Sequence, residues 1–310
     1  MTYAASLSGW YVYEDAVHPQ WASWQDALNA TVRMPARSLA AWSRFLAGPD
    51  PYTHRAVSLT WHLLNGVLVW LVAKHVLSSA GAVMALAVFL LLPIQTESVA
   101  YISSQPELIA ATGVLLALLA TSRGRLGLAC VCAMGAMAGK ELAAPALFLV
   151  PLWAWWTGQR WSRAWITAWA VTVCGVGLIG FWLATSHVLL ASYWPPTSWY
   201  IAGQIATPPR LLALIPESVV RADVLTIDHD WGWLSKPAAV CAVMVWLGAL
   251  ETAWRFRWPA WGFALLWTLT ALSVRLIVPL PDGLHERHLY TPMVAWSLAI
   301  GAAVFPKESV

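Results

Sequence analysis

The sequence predicts an all-helical protein that crosses a membrane several times. Of its 310 residues, 59% are hydrophobic and only 11% are charged, and the apolar residues form long continuous runs. Soluble globular chains carry roughly a quarter charged residues. Runs of about 20 apolar residues match the length that a helix needs to cross about 30 Å of hydrocarbon. The composition therefore excludes a soluble domain, a disordered chain, a disulfide-rich secreted domain and a nucleic-acid binder.

The apolar runs predict a polytopic bundle of about nine transmembrane helices. A helix satisfies its own backbone hydrogen bonds in lipid, whereas an open strand leaves them unmade, so each run is assigned to a helix. In chain order the predicted spans are 56–77, 80–95, 106–121, 126–140, 142–157, 164–190, 237–253, 259–280 and 288–304.

The loop charges predict the orientation of this bundle. Loops after the first, third, fifth and seventh spans, with the C-terminal tail 306–310, carry a net charge of +6, and the rest of the chain carries −3. Because cytoplasmic loops are enriched in Lys and Arg, the first set is predicted to be cytoplasmic. The tail 1–55 and the long loop 192–236 of the transmembrane domain 56–305 then lie on the outer face. We expect an integral protein of a bacterial inner membrane, in contact with lipids, with its active site on the periplasmic side.

The predicted outer tail contains two features. Glu14 and Asp15 are adjacent carboxylates, and a carboxylate there can act as a general base on a hydroxyl; alternatively they belong to a solvated acidic loop. Residues 38–46 have an apolar helical face with basic residues beside it, which predicts a helix lying in the membrane interface. Nine spans put the termini on opposite sides, so either the tail crosses without a preceding helix or a first span lies upstream of Met1.

Two acidic residues and a lysine lie at the outer ends of the early spans. Glu97 and Glu107 flank a stretch that is too polar to face lipid, and acidic residues at membrane depth usually face a cavity. Alternatively, both end their spans at the headgroup level. Lys140 lies next to Glu141 in the turn between two apolar runs, where it either contacts a lipid-linked phosphate or anchors the turn at the interface.

Two later segments add further ionisable residues. Asp228 and His229 belong to an Asp-His-Asp run, but adjacent loop residues rarely point at one ion, so no metal site is assigned. No cofactor is certain, although outer carboxylates suit Mg²⁺ or Mn²⁺. Before the last span, Arg287 is suited to a bidentate grip on a phosphate and Glu286 to orienting it. The alternative is a basic and aromatic anchor at the interface.

Taken in order, five segments resemble motifs of the transmembrane tetratricopeptide-repeat O-mannosyltransferases and their bacterial relatives. The segments are V-Y-E-D-A at 12–16, P-I-Q-T-E-S-V-A-Y-I-S-S-Q-P-E-L at 93–108, A-G-K-E-L-A-A-P-A-L at 138–147, G-Q-I-A-T-P-P-R-L-L-A-L-I-P at 203–216 with D-H-D at 228–230, and H-E-R-H-L-Y-T-P at 285–292. Gln95 and Gln105 replace a His and an Arg that are usual in the family.

The resemblance implies a GT-C fold and an inverting glycosyltransferase. The expected donor is a polyprenyl-phosphate-linked sugar, and the expected acceptor is a hydroxyl of a protein or cell-surface glycan on the outer face. Asp15, with Glu14 beside it, would be the general base. The residues that the resemblance implies for the sugar or acceptor site are Glu97, Gln105, Glu107, His54, His62, Asp228 and His229. Those implied for the donor phosphate are Lys140, Arg210, Arg287, Glu286 and His285.

Two other functions are alternatives at this point. The substituted family positions favour a catalytically degenerate GT-C-like protein that serves as a scaffold or assembly partner. A secondary transporter would need an ionisable residue near the bilayer midplane, for which Arg275 is the main candidate, and an internal repeat, which the sequence does not show.

Overall fold

The structure is a computed structural model. It describes residues 24–33, 38–48, 50–140, 143–159, 162–185, 244, 247–252, 254–255, 259–277 and 286–306. The described residues are predominantly helical and contain no strand, which confirms the all-α prediction.

Eleven α-helices are described, and those between Pro51 and Trp156 follow one another through short connections. In order they are α1 (Trp24–Arg33), α2 (Ser38–Ala47), α3 (Pro51–Ala73), α4 (Ser79–Leu91), α5 (Thr96–Ala100), α6 (Gln105–Ser122), α7 (Leu126–Gly139), α8 (Ala146–Trp156), α9 (Arg163–Thr185), α10 (Pro259–Ile277) and α11 (Pro292–Val304). Short 3₁₀ turns lie at Pro93–Gln95, Ile102–Ser104 and Glu286–Leu289.

The described helices are consistent with a chain that crosses a membrane. Two segments, Pro51–Ala73 and Ile102–Ser122, are long and apolar enough to span it, and the bent pair Ser79–Leu91 and Pro93–Ala100 adds a third if it counts as one span. Four shorter apolar helices lie at Leu126–Met137, Ala146–Trp156, Ala260–Ala271 and Pro292–Val304. The full set of nine spans, the GT-C arrangement and the orientation remain predictions.

The first helix of the predicted bundle starts earlier than expected. Asp50 caps α3, since its carboxylate accepts a hydrogen bond of 2.9 Å from the backbone N–H of Thr53. Pro51 occupies the first turn, where its missing N–H costs nothing. The predicted start of the transmembrane domain at residue 56 therefore falls inside α3, which ends at Ala73 instead of residue 77.

The second predicted span, 80–95, is broken. Helix α4 ends at Leu91, because Pro93 disfavours helical geometry in the residue before it and cannot donate a hydrogen bond to the preceding turn. The chain then bends by 54° into Pro93–Ala100. A second break at Tyr101 leads into α6. These two breaks place the polar residues between 95 and 107 at one end of the bundle interior.

Helix α6 lies at the centre of the described bundle. Of the apolar window in Ile102–Ser122, 83% is buried, and the helix packs against α3, α7 and α8. Helix α4 packs between α3 and α11, and α10 packs on α11. Helix α2 (Ser38–Ala47) confirms that 38–46 is helical. It contacts α6 and α7, and its Ala41 is buried.

The tight contact between α6 and α7 depends on Gly113. A Cβ at this position would lie 2.6 Å from the Cα of Ala136, so the two backbones would have to separate. We expect Gly113→Ala to lower the free energy of unfolding by about 1–3 kcal/mol, as overpacking does. Unfolding in mixed micelles, followed by circular dichroism, measures the change.

Gly135 of α7 supplies the matched control for this substitution. A Cβ there meets nothing within 4 Å. Because alanine is favoured over glycine inside a helix by up to about 1 kcal/mol, Gly135→Ala should be neutral or stabilising. Equal destabilisation by both substitutions would show that the close approach of α6 and α7 is not what Gly113 provides.

Candidate functional site

The candidate site is built on the twice-broken segment from Gln95 to Glu107, which we call the site segment. Glu97 lies in the first turn of α5 and Glu107 in the first turn of α6. Backbone N–H groups are exposed at the start of a helix, so a carboxylate is electrostatically favoured there. The breaks that stop the hydrophobic span thus create two places where a buried acidic side chain is stabilised.

Glu97 binds Arg287 through two contacts. One carboxylate oxygen, Oε2, accepts a hydrogen bond of 2.9 Å from the backbone N–H of Arg287. The other, Oε1, accepts one of 3.4 Å from the guanidinium Nη1. The two side chains are only 3% and 10% exposed, so the pair is shielded from water. Glu97 therefore holds both the backbone and the side chain of the turn before α11.

Glu107 extends this pair into a network. Its Oε1 lies 3.9 Å from Nε of Arg287 and accepts a short hydrogen bond from Nζ of Lys140, just beyond the end of α7. Two carboxylates thus balance two cations, as buried charges require. Lys140 and Glu107 thus join the end of α7 to the start of α6. The structure brings together the four residues that the sequence predicted separately: Glu97, Glu107, Lys140 and Arg287.

Other side chains fix the site segment from outside the ion-pair network. Nε of Arg55 donates a hydrogen bond of 3.2 Å to the carbonyl oxygen of Ala100. Nη2 of Arg44 donates one of 3.4 Å to the carbonyl oxygen of Ile102. The ring of Tyr101 faces the Arg287 guanidinium at 5.3 Å, a cation–π contact. Sequence reasoning missed the roles of Arg44, Arg55 and Tyr101. An arginine next to an apolar run, where charge is rare, was the signal that the sequence offered.

The site segment also concentrates buried polar atoms that make no hydrogen bond within the described structure. Neither amide atom of Gln95 or Gln105 has a partner, and the same holds for the hydroxyls of Ser98 and Ser104 and for Oε2 of Glu107. Gln95, Ser98, Ser104 and Gln105 are all 0% exposed. Roughly 90% or more of buried polar groups in proteins are hydrogen-bonded. Such a concentration is unusual and makes the site segment the candidate for binding a polar ligand; only Gln105 and Glu107 were predicted from the sequence.

His62 lies in a second polar network, deeper in the bundle. Its Nδ1 is 2.9 Å from the hydroxyl of Tyr290, which also accepts a hydrogen bond of 3.1 Å from Nδ2 of Asn65. Thr112 donates to Oδ1 of Asn65 at 2.7 Å. The backbone N–H of Tyr290 donates to the carbonyl of Arg287 at 3.2 Å. This network therefore supports the turn that carries Arg287.

The remaining predicted residues are only partly covered. His54 is buried in the first turn of α3, next to Arg55. Glu286 begins the turn that carries Arg287, and its side-chain position is outside what the structure describes. The predictions for Glu14, Asp15, Arg210, Asp228, His229 and His285 also lie outside the described residues.

No metal site can be assigned from the residues that the structure covers. Within them, no group of three or more His, Cys, Asp or Glu side chains is placed to hold a metal ion. Mg²⁺ or Mn²⁺ therefore remains a prediction that rests on the outer carboxylates.

The arrangement of these side chains suits the site to bind two kinds of group, an anion and an uncharged polar group. Lys140 and Arg287 supply cations in a water-poor environment, where they interact strongly with an anion such as a phosphate. The amides and hydroxyls of the site segment supply donors and acceptors for an uncharged polar group. Comparison with protein-family models, with curated proteins and with solved structures finds no match to this chain.

Proposed function

We propose that the protein is an inverting glycosyltransferase that moves a sugar from a polyprenyl-phosphate donor to a hydroxyl of a protein or cell-surface glycan. One observation carries the proposal: residues from separate motifs of the resembled family converge in one buried network. Glu97 and Glu107 come from one motif, Lys140 from the next and Arg287 from the last. Motifs that contribute to one site are expected to lie close together in the folded protein, even when they are far apart in the sequence.

The proposed reaction breaks the bond between the anomeric carbon and the phosphate oxygen of the donor. The acceptor hydroxyl attacks that carbon from the opposite side, so the configuration inverts. Its proton passes to the Asp15 carboxylate, and the electron pair of the broken bond leaves with polyprenyl phosphate. Lys140 and Arg287 stabilise the leaving phosphate, and Glu97 and Glu107 hold both cations in position.

The unpartnered groups of the site segment are proposed to bind the sugar ring. A sugar hydroxyl both donates and accepts hydrogen bonds, and so can satisfy the amide oxygen and nitrogen of Gln95 and Gln105 together. A donor on the membrane would then place its phosphate near the cations and its ring near the neutral groups.

Gln105→Leu tests this assignment of the ring site. The substitution removes two buried polar atoms that lack partners, so the midpoint of thermal unfolding should stay constant or rise. Affinity for a short-chain polyprenyl-phosphate hexose should fall about tenfold, the equivalent of about one lost hydrogen bond. Isothermal titration of the protein in lipid nanodiscs measures the affinity.

Asn65→Leu is the matched control for the loss of an amide. Asn65 has hydrogen-bond partners on Leu108, Tyr290 and Thr112, so this variant should lose stability. A Gln105→Leu variant that is destabilised like Asn65→Leu and still binds the donor normally would contradict the ring site.

A catalytically degenerate scaffold is the second candidate. It is favoured because both cations of the network already pair with carboxylates of the protein. Each of Lys140 and Arg287 already faces a carboxylate, so a donor phosphate has to compete with Glu97 and Glu107. A scaffold would retain the network for stability alone. Failure of the wild-type protein to bind any polyprenyl-phosphate sugar in the same titration would favour the scaffold.

A further inference from the structure

The end of the bundle remote from the candidate site carries a cluster of basic side chains. Helices α3 and α6 begin near the site segment and run away from it. The 18 residues of α6 place its far end about 27 Å away. Lys74 and His75 follow the end of α3, and Arg123 and Arg125 lie between α6 and α7. All four side chains are exposed, and we call them the basic end.

These side chains are close enough to influence one another. The pKa of His75 is lowered mainly by partial burial, and further by the positive charges of Arg123 and Lys74. The described connections 74–78, 122–125 and 157–159 contain no acidic residue. The ion pairs found among the described residues all involve Glu97 or Glu107, at the other end of α6. The basic end is therefore a local concentration of exposed positive charge.

Three tryptophans, Trp70, Trp153 and Trp155, lie close to the basic end. Nζ of Lys74 lies 4.7 Å from the centroid of the Trp70 ring. Helix α8 ends at the same level, because Nε1 of Trp153 donates to Oγ of Ser122 at 2.8 Å. Two residues on, Trp155 is 59% exposed. Tryptophan is enriched where membrane-spanning helices leave the hydrocarbon. This placement accounts for some of the 23 tryptophans of the chain.

We propose that the basic end binds the phosphate of an anionic phospholipid headgroup. Arg123 and Arg125 each offer a planar fork of donors that fits phosphate oxygens, and Lys74 adds a point charge. The exposed tryptophan favours a lipid over a free phosphate ion, since only a lipid also supplies acyl chains for the ring to contact. The proposal is independent of the sugar-transfer function and uses none of its residues.

Native mass spectrometry of the full chain in a neutral detergent tests the proposal. Phosphatidylglycerol, phosphatidylcholine and inorganic phosphate are added in turn at matched concentrations. We expect retention of phosphatidylglycerol only. Arg123→Gln with Arg125→Gln should weaken its binding by about fivefold per cation removed, or about 25-fold in total. Arg255→Gln, which removes an exposed arginine that is not one of the four residues of the basic end, should leave binding unchanged.

Three results would overturn the proposal. They are equal retention of phosphatidylglycerol and phosphatidylcholine, equal retention of inorganic phosphate, and a loss of binding in Arg255→Gln as large as in the double variant. If the double variant does not fold, Lys74→Gln is measured instead. This single substitution removes one charge after the end of α3 and should weaken phosphatidylglycerol binding about fivefold. Unchanged binding would contradict the proposal.

Discussion

Replacement of Glu97 by leucine is expected to lower the free energy of unfolding by about 3–5 kcal/mol. The substitution removes both acceptors of the Arg287 backbone and side chain, and leaves a buried guanidinium with Glu107 as its remaining carboxylate partner in the described network. Removal of one member of a buried pair is costly because the other member keeps its desolvation penalty. Chemical unfolding in mixed micelles, followed by circular dichroism, measures the change.

A double-mutant cycle separates the interaction from the effect of each substitution alone. The double variant Glu97→Leu with Arg287→Leu should lose less free energy of unfolding than the two single variants lose in total. Both charges of the pair are then absent, so neither is left buried without the other. Glu251→Leu is the control, since Glu251 is exposed and its removal should change stability by less than about 0.5 kcal/mol. Additive single effects, or a Glu97→Leu variant as stable as the control, would contradict the network as a stabilising unit.

Asp15→Asn is expected to lower the rate of sugar transfer by about 10²–10⁴, the usual contribution of a positioned general base. Asparagine is similar in size and keeps one acceptor oxygen, but it does not take up the acceptor proton near neutral pH. Helix content, membrane insertion and donor affinity should be unchanged. Single-turnover transfer from a labelled polyprenyl-phosphate hexose, with donor in excess of its dissociation constant, isolates the chemical step.

Glu14→Gln is the matched control for this base. The resemblance places Glu14 beside the base, so its loss should cost less than that of Asp15. Full transfer by Asp15→Asn would remove Asp15 from the mechanism. A larger loss in Glu14→Gln than in Asp15→Asn would transfer the role of base to Glu14.

The sequence predicted the existence of the helices better than their ends. Apolar run length and the need to satisfy backbone hydrogen bonds are local properties, which explains the agreement for α6 and α7. The ends depend on finer chemistry. Asp50 and Pro51 start α3 before the most apolar stretch, and Pro93 stops α4 inside a run that remains hydrophobic. Hydrophobicity alone does not show where a capping residue starts a helix or where a proline ends it.

Charged members of the site could be predicted, but their partners could not. Glu97, Glu107, Lys140 and Arg287 stand out because charge is rare in this chain and costly at membrane depth. The pairing of Lys140 with Glu107 depends on how α6 packs on α7, which the sequence alone does not show. Tertiary packing determines which opposite charge lies within reach.

The neutral members of the site were harder to find. Gln95, Ser98 and Ser104 look like ordinary residues at the end of a span, and only burial without hydrogen-bond partners distinguishes them. The role of His62 in the sugar or acceptor site stays a prediction. The sequence did not show that its Nδ1 lies 2.9 Å from the hydroxyl of Tyr290, in a polar network with Asn65 and Thr112.

The most direct test of the central claim is release of polyprenyl phosphate by the purified protein. The full chain in lipid nanodiscs is incubated with a labelled polyprenyl-phosphate hexose and an extract of cell-envelope proteins and glycans as acceptor. We expect that label moves into the acceptor fraction as polyprenyl phosphate appears in equal amount, and that Asp15→Asn prevents both. Equal release from wild-type protein, Asp15→Asn and empty nanodiscs, across a panel of hexose donors, would contradict the claim that this protein transfers a sugar.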